Sequence, residues 1–388
     1  MDDLRIGVIG AGGRGQLANN AHNPGKGSRL VAGADVNPKA LIKFKETYGE
    51  EVFVTDDYRK LLERKDIDAV FVTSPDFLHE EQALAALEAG KAVYLEKPMA
   101  ITIEGCDRLL NTAMRTGSKL YLGHNMRHFP AILKMKEVID SGIIGKVQLA
   151  WCRHFISYGG DAYFKDWHSE QQFSTGLLLQ KGAHDIDVIH WLAGGYTKSV
   201  VGMGMLSIYD KCERRDPSTP GVASWSNAHW PPLAQAGMSP VIDVEDSNMI
   251  MMQLDNGVQA SYMQCHYAPD SERNYTFIGT QGRVENIGDY GKCEIHVWTT
   301  RGSRAEPDII HYLKPLEGSH GGSDPAIVQT FVDFVRFGVK TNTSPVAARN
   351  SVAAGVMGHD SMRGDGGRRD IPQLPKNVIE YFENGQKK

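Results

Sequence analysis

Two parts of the chain carry residue types at spacings that suit chemistry. Gly10-Ala11-Gly12-Gly13-Arg14-Gly15 fits the pattern G-x-G-x-x-G. It follows an apolar run, Leu4–Ile9, and precedes a helical stretch. In that setting the first glycine permits a tight turn, the second lets a pyrophosphate approach the backbone, and the third lets helix and strand pack closely. N–H groups at the helix start then face the phosphates. Asp35 closes the next apolar run, 20 residues after Gly15. A carboxylate there accepts hydrogen bonds from the adenosine ribose and disfavours a 2′-phosphate. It favours NAD over NADP, although Arg14 and Lys39 carry charge that can offset it. Further along, Gly176–Leu192 (GLLLQKGAHDIDVIHWL) has helical character. Gln180 and His184 are spaced i, i+4 and His184 and Asp187 i, i+3, so a continuous helix puts them on one face. A neutral histidine suits removal of a hydroxyl proton near neutral pH. Lys181 adds a cation beside it.

The elements that must position these groups alternate regularly over the first third. Short apolar strands are expected near 4–9, 30–34, 52–54, 69–73, 92–95 and 120–123, with helices between them. Asn37-Pro38 starts one helix over about 38–48, and Asp76 is expected to cap another that Gly90 stops. Apolar runs of this kind are buried on both faces, which predicts a doubly wound parallel sheet. Thr73-Ser74-Pro75-Asp76-Phe77-Leu78-His79 and Glu96-Lys97-Pro98 fall just beyond strand ends. Residues there line the ligand crevice of such a sheet, which makes Ser74, Pro75, His79, Glu96 and Lys97 candidates. Read in isolation, His79 is an ordinary helix-start residue and Glu-Lys-Pro a surface turn. Past residue 150 the strands lengthen and alternate. Asp255-Asn256-Gly257 between two of them is a hairpin signal, so this half reads as α+β with a mainly antiparallel sheet. Residues 211–240 hold five prolines and no periodicity, which predicts a long loop.

Composition narrows the classes. The 388 residues carry a net charge of −5, which excludes a globally basic nucleic-acid binder. No apolar stretch approaches membrane-spanning length. The five dispersed cysteines read as reduced thiols, and the first residues show no basic, signal-type segment, so the cytoplasm is expected. His124, His128, His154, His168, His266 and His320 form no recognisable ligand set, so no metal is expected. Neither a G-x-S-x-G elbow nor a Walker sequence occurs.

GAGGRG, Asp35, TSPDFLH, EKP, HNMRHFP (124–130), KGAHDID (181–187), IGTQGRVE (278–285) and HGGSDP (320–325) together resemble the glucose–fructose oxidoreductase/inositol dehydrogenase (Gfo/Idh/MocA) family. The resemblance covers almost the whole chain. It implies an NAD(P)-binding Rossmann domain, expected over 1–125, and a substrate and oligomerisation domain with an open-faced sheet over 126–388, its C-terminal segment packing back on the first. It implies hydride transfer between a nicotinamide and a sugar, cyclitol or glycoside carbon, with Lys97 and His184 catalytic and the Lys97–Pro98 peptide cis. Asn125, Arg127, Gln180, Asp187 and, on the loop, Trp230 are candidates for substrate contact. Many family members carry Asp where Gln180 stands, and Gln takes no proton, so the substrate class is the point of departure. Two other outcomes fit the same residues. One is a glycosidase-type enzyme using transient oxidation and elimination, and the other is a non-catalytic dinucleotide-sensing protein. An antiparallel sheet short of covering helices predicts a homodimer or homotetramer.

Overall fold

The structure, a computed structural model, describes residues 2–289, 292–302, 306–314 and 319–387. The chain divides into two units. Residues 1–128, 318–349 and 373–388 form the first, and 129–317 with 350–372 the second. The first boundary falls three residues past the 125–126 cut, and residues 318–349 and 373–388 belong to the first unit.

The first unit is built on six parallel strands: β1 (Leu4–Ile9), β2 (Ser28–Ala34), β3 (Phe53–Thr55), β4 (Ala69–Val72), β5 (Ala92–Leu95) and β6 (Leu120–Leu122). Their order is β3-β2-β1-β4-β5-β6, the doubly wound arrangement. Every residue of β4 and β5 is buried, which is why both read as unbroken apolar runs. Local signals set the helix ends. The Asn37 side chain accepts from Lys39 N at 3.1 Å, with Pro38 opening the helix Pro38–Tyr48. Thr102 caps Ile103–Thr116 through Gly105 N at 3.0 Å, and left-handed Gly117 ends it. The expected Asp76 cap is not made. A short 3-10 turn set by Pro75 contains Asp76, and the helix His79–Glu88 starts after Leu78 with no side-chain cap. The stretch after the glycines, Gly13–Ala21, is likewise 3-10.

The late segment joins this unit through its apolar face. Ile327, Val328, Phe331 and Phe334 of the helix Ser323–Phe337 share a core with Val8, Phe71 and Tyr94. Phe331 packs edge-on to Phe71 at 5.2 Å and to Tyr94 at 5.6 Å.

Among the described residues the second unit holds nine strands: β7 (Val147–Phe155), β8 (Thr197–Met205), β9 (Ser247–Leu254), β10 (Gln259–Cys265), β11 (Glu272–Gly279), β12 (Arg283–Ile287), β13 (Cys293–Trp298), β14 (Ile309–Leu313) and β15 (Arg369–Asp370). They run in the order β14-β13-β12-β11-β7-β10-β9-β8-β15, with β7 and β10 parallel and the other pairs antiparallel. Gly257, at φ +90°, makes the β9–β10 turn that Asn-Gly signals. One face is buried. On the other, Met203, Met249 and Met263 lie side by side in register across β8, β9 and β10, and all three are exposed. Residues 211–240 form the expected loop, with a single bridge between Arg214 and Met238. Among the described residues no helix is long and apolar enough to cross a membrane.

Candidate active site

The first unit gathers its site where β1 and β4 part. Gly10 N donates to Ala34 O at 2.9 Å, and Thr73 Oγ1 donates to Gly10 O at 3.0 Å. A Cβ on Gly10, at φ +82°, would lie 2.7 Å from Ser74 N, and one on Gly15 would lie 2.1 Å from Gly10 O. Only glycine fits at either position. Gly13, at φ +39°, faces open space. Asp35 closes the cradle: Oδ2 accepts from Gly12 N at 2.8 Å and Oδ1 from Asn37 N at 2.8 Å. Beside it lies a cavity of about 470 Å³ lined by Asp35, Val36, Pro38, Leu41, Val54, Thr55 and Asp56, suited to a nucleoside. The backbone cradle and this carboxylate fit a dinucleotide. A larger cleft, about 780 Å³, lies at the amino ends of the strands, away from this site. There Arg5 and Asp68 already pair at 2.7 Å.

Arg14 turns away from Asp35. Its Nε donates to Glu96 Oε1 at 2.7 Å, and its two terminal nitrogens donate to Asp324 at 2.8 and 3.0 Å. Burial opposes the Arg14 charge, but Glu96 and Asp324 outweigh it and raise its pKa further. Burial would also raise the Asp324 carboxyl, yet His320 and Arg14 hold it well below the usual range. Asn125 Nδ2 joins the same carboxylate at 3.0 Å. Arg127 is buried and donates to Asn342 O. Asn125 and Arg127 therefore make contacts to the late segment of their own unit.

Ser74 Oγ donates to Gln82 at 2.6 Å. His79 is buried, with Nδ1 2.7 Å from Pro98 O and Nε2 2.9 Å from Ser74 O. It braces two strand-end turns to each other, and burial lowers its pKa. Pro75 sets the turn after β4. Glu96 Oε2 accepts from Lys97 N at 3.0 Å, and the Lys97–Pro98 peptide is cis. Lys97 itself is half-buried beyond the end of β5.

The second unit presents Gln180, Lys181 and His184, but not on one continuous helix. Leu177–Gln180 is a short helix, and Gly182–Ala193 starts after Lys181. Gly182, which opens the second helix, lies against the Tyr262 ring, 3.0 Å from where its Cβ would lie. Asp187 is buried in the second helix.

Sequence reasoning missed the buried residue next to His184. Asp185 accepts from His154 Nδ1 at 3.0 Å, from Arg273 Nε at 3.0 Å and from the Tyr275 hydroxyl. Burial would raise its pKa, but Arg273 and His154 keep it well below the usual range. His154 is pushed down to about 4 by burial and by Arg273. This cluster ties the histidine-bearing helix to β7 and β11. A second tie holds the preceding segment: Arg363 donates to Glu245 at 2.7 and 2.8 Å, and Leu179 N donates to His359 Nε2 at 3.3 Å. The alternation His184-Asp185-Ile186-Asp187 was the available signal, but the partners lie 31 and 88 residues away.

On the loop, Trp230 is 56 % exposed and precedes a cis proline. Trp225, five residues earlier, is the one that meets Tyr158 and Tyr163, with centroids 5.1 and 5.9 Å apart. Among the described residues no cluster of three or more His, Cys, Asp or Glu is arranged to hold a metal.

A glycine cradle, an acid closing the second strand and a strand order of this kind define a dinucleotide-binding fold. The model described as "Oxidoreductase family, NAD-binding Rossmann fold" matches residues 4–124, and "GFO/IDH/MocA C-terminal domain" matches 132–285. The chain belongs to the GFO/IDH/MocA family. It is 35 % identical over 191 residues to inositol 2-dehydrogenase/D-chiro-inositol 3-dehydrogenase of Shouchella clausii, covering 49 % of this chain and 53 % of that one. It is 35 % identical over 199 residues to inositol 2-dehydrogenase of Klebsiella pneumoniae, covering 51 % and 56 %. The matched part thus spans about half the length of these curated relatives. Among solved structures, levoglucosan dehydrogenase in complex with NADH and levoglucosan superposes with a TM-score of 0.77 at 20 % identity, covering 96 % of this chain and all of the other. The apo scyllo-inositol dehydrogenase of Lactobacillus casei gives 0.69 at 22 %, covering 95 % and 98 %.

Proposed function

We propose that this protein is an NAD-dependent dehydrogenase that oxidises a secondary hydroxyl of a sugar, cyclitol or glycoside, or reduces the matching ketone. The observation that carries the reading is the Gly10–Gly15 cradle closed by Asp35, with Lys97 just beyond the end of β5 in the same sheet. When bound there, a nicotinamide dinucleotide supplies a hydride acceptor. Arg14 is spent on Glu96 and Asp324, so it does not offset Asp35, and this supports NAD over NADP. In the proposed chemistry the Lys97 ammonium donates to the reacting oxygen, and neutral His184 takes the hydroxyl proton as hydride leaves the carbon. Gln180 orients a hydroxyl through its amide. Asp185 acts through the helix it anchors and touches no reacting atom.

The names of the relatives, which are inositol dehydrogenases, support a polyhydroxylated ring as substrate. The exposed methionine ladder on β8, β9 and β10 supports a homo-oligomer formed through that face. All five cysteines are free thiols, which fits a reducing compartment such as the cytoplasm. The test is a panel of polyols, cyclitols and glycosides with NAD and with NADP, read at the NADH absorbance band. Turnover of at least one ring alcohol with NAD is expected. Absence of reduction across the panel contradicts the reading, and glycoside cleavage with no net NADH transfers it to transient oxidation and elimination.

A further inference from the structure

Resting on the dehydrogenase reading, we propose that Asp324 is a positioning residue for hydride transfer: acting through Arg14 and Glu96, it fixes the main chain at Lys97 and so the aim of the Lys97 side chain. All four residues belong to the first unit. Three observations carry this. First, the four are joined end to end. Asp324 Oδ2 and Oδ1 accept from Arg14 Nη1 at 2.8 Å and Nη2 at 3.0 Å, a two-pronged grip that sets the plane of the guanidinium. The remaining nitrogen, Nε, donates to Glu96 Oε1 at 2.7 Å. The other Glu96 oxygen, Oε2, accepts from Lys97 N at 3.0 Å. One arginine thus holds two buried carboxylates, and the second of them holds the Lys97 amide. A lysine in place of Arg14 would bring the charge but not the planar fork that spans both.

Second, neither carboxylate is a loose surface group. Asp324 stands in the first turn of the helix Ser323–Phe337, whose Phe331 packs edge-on to Phe71 of β4 and Tyr94 of β5. Asn125 Nδ2 donates to its Oδ1 at 3.0 Å, and His320 Nδ1 lies 2.8 Å from its Oδ2. Glu96 is pinned beyond β5. Its N–H donates to Val72 O at 2.9 Å, and it lies so close to Gly123 that a Cβ there would come within 3.2 Å of its Cα and Cδ.

Third, the residue after Lys97 is held separately. His79 Nδ1 lies 2.7 Å from Pro98 O, and its Nε2 lies 2.9 Å from Ser74 O. The main chain at Lys97 is therefore bracketed, at its amide by the network that ends in Asp324 and at the next carbonyl by His79. Loss of Asp324 opens the first bracket and leaves the second. A displacement of about 1 Å at a reacting group costs on the order of 10²-fold in rate. Arg14 also belongs to the Gly10–Gly15 turn, so the network that ends in Asp324 keeps the cradle and Lys97 in one register.

The experiment compares wild type with Asp324→Asn, which removes the charge at nearly unchanged shape. The kcat should fall by roughly 10- to 100-fold while equilibrium NAD affinity changes little. Added to Lys97→Ala, Asp324→Asn should cost nothing further, because both act at one point. Arg14→Lys should reproduce the Asp324→Asn loss. A normal kcat in Asp324→Asn, or losses that multiply in the double variant, overturns the proposal. Weakened NAD binding with kcat intact overturns it as well and gives Asp324 to the cofactor cradle. Amide hydrogen exchange supplies a readout that needs no turnover. The peptide spanning residues 95–101 should exchange faster in Asp324→Asn, while β1 and β4 keep their wild-type protection. Unchanged exchange in that peptide, or faster exchange throughout the unit, contradicts a positioning role. A wild type that never reduces NAD, with the local exchange change present, defeats the dehydrogenase reading and leaves the hold on Lys97 standing.

Discussion

The glycine cradle and the Lys181–His184 segment solve opposite problems. In the cradle, backbone does the work. Gly10 and Gly15 are needed because a neighbouring main chain lies 2.7 and 2.1 Å from where a side chain would begin, and Asp35 enters by accepting from Gly12 N. Everything that matters lies within one short run and one acid 20 residues on. In the histidine segment, side chains do the work and come from far away. Asp185 needs His154 from β7 and Arg273 and Tyr275 from β11. Glu245 needs Arg363. A site made of backbone can be read from spacing, whereas one made of distant side chains needs the fold.

The largest expected effect lies in the first unit, at the end of β5. Lys97→Ala should lower kcat by roughly 10²–10⁴, the span of a positioned proton-handling group, while NAD affinity changes little. Steady-state kinetics with equilibrium NAD binding check this, and near-normal kcat removes Lys97 from the chemistry. Next comes the second anchor. Burial would raise Glu245, but His359 and Arg363 bring it down to about 2 from 4.5. Its folded value lies below its unfolded one, so its stabilisation is full above pH 4.5 and is lost as pH falls through about 2. The shift corresponds to about 3 kcal/mol. Glu245→Gln should lower the unfolding midpoint at pH 7 and flatten its decline between pH 4.5 and 2. A decline as steep as wild type's contradicts the assignment.

A smaller effect probes the cradle. Asp35→Ser should shift the kcat/KM ratio toward NADP by about tenfold, equivalent to ~1.4 kcal/mol. A wild type that already prefers NADP by that factor breaks the cofactor assignment. The smallest concerns the loop. Trp230→Ala should change KM for a glycoside less than Trp225→Ala does, because Trp225 is the ring beside Lys181. The reverse order returns Trp230 to the substrate wall expected from the sequence.

Legibility follows the same division. The strand positions of the first unit, Asn37 as a cap and the β9–β10 hairpin were visible because each depends on a few adjacent residues. Asp76 was misplaced as a cap because Pro75 inserts a turn before the helix. The spacing of Gln180 and His184 predicts one helix, whereas one helix ends at Gln180 and the next opens at Gly182, a one-residue break that no local signal marks. HGGSDP stands out in the sequence, yet nothing local shows that Asp324 holds Arg14 and Asn125. Read locally, Arg14 and Lys39 both carry charge that can offset Asp35, and only the fold shows Arg14 held by Glu96 and Asp324.

The central claim is hydride transfer from a ring carbon to a nicotinamide, and isotope tracing tests it most directly. A substrate deuterated at the carbon that is oxidised should deliver one deuterium to the reduced dinucleotide per turnover, with the matching ketone formed in equal amount. Deuterium kept in the carbohydrate, or product formed with no labelled NADH, contradicts the account.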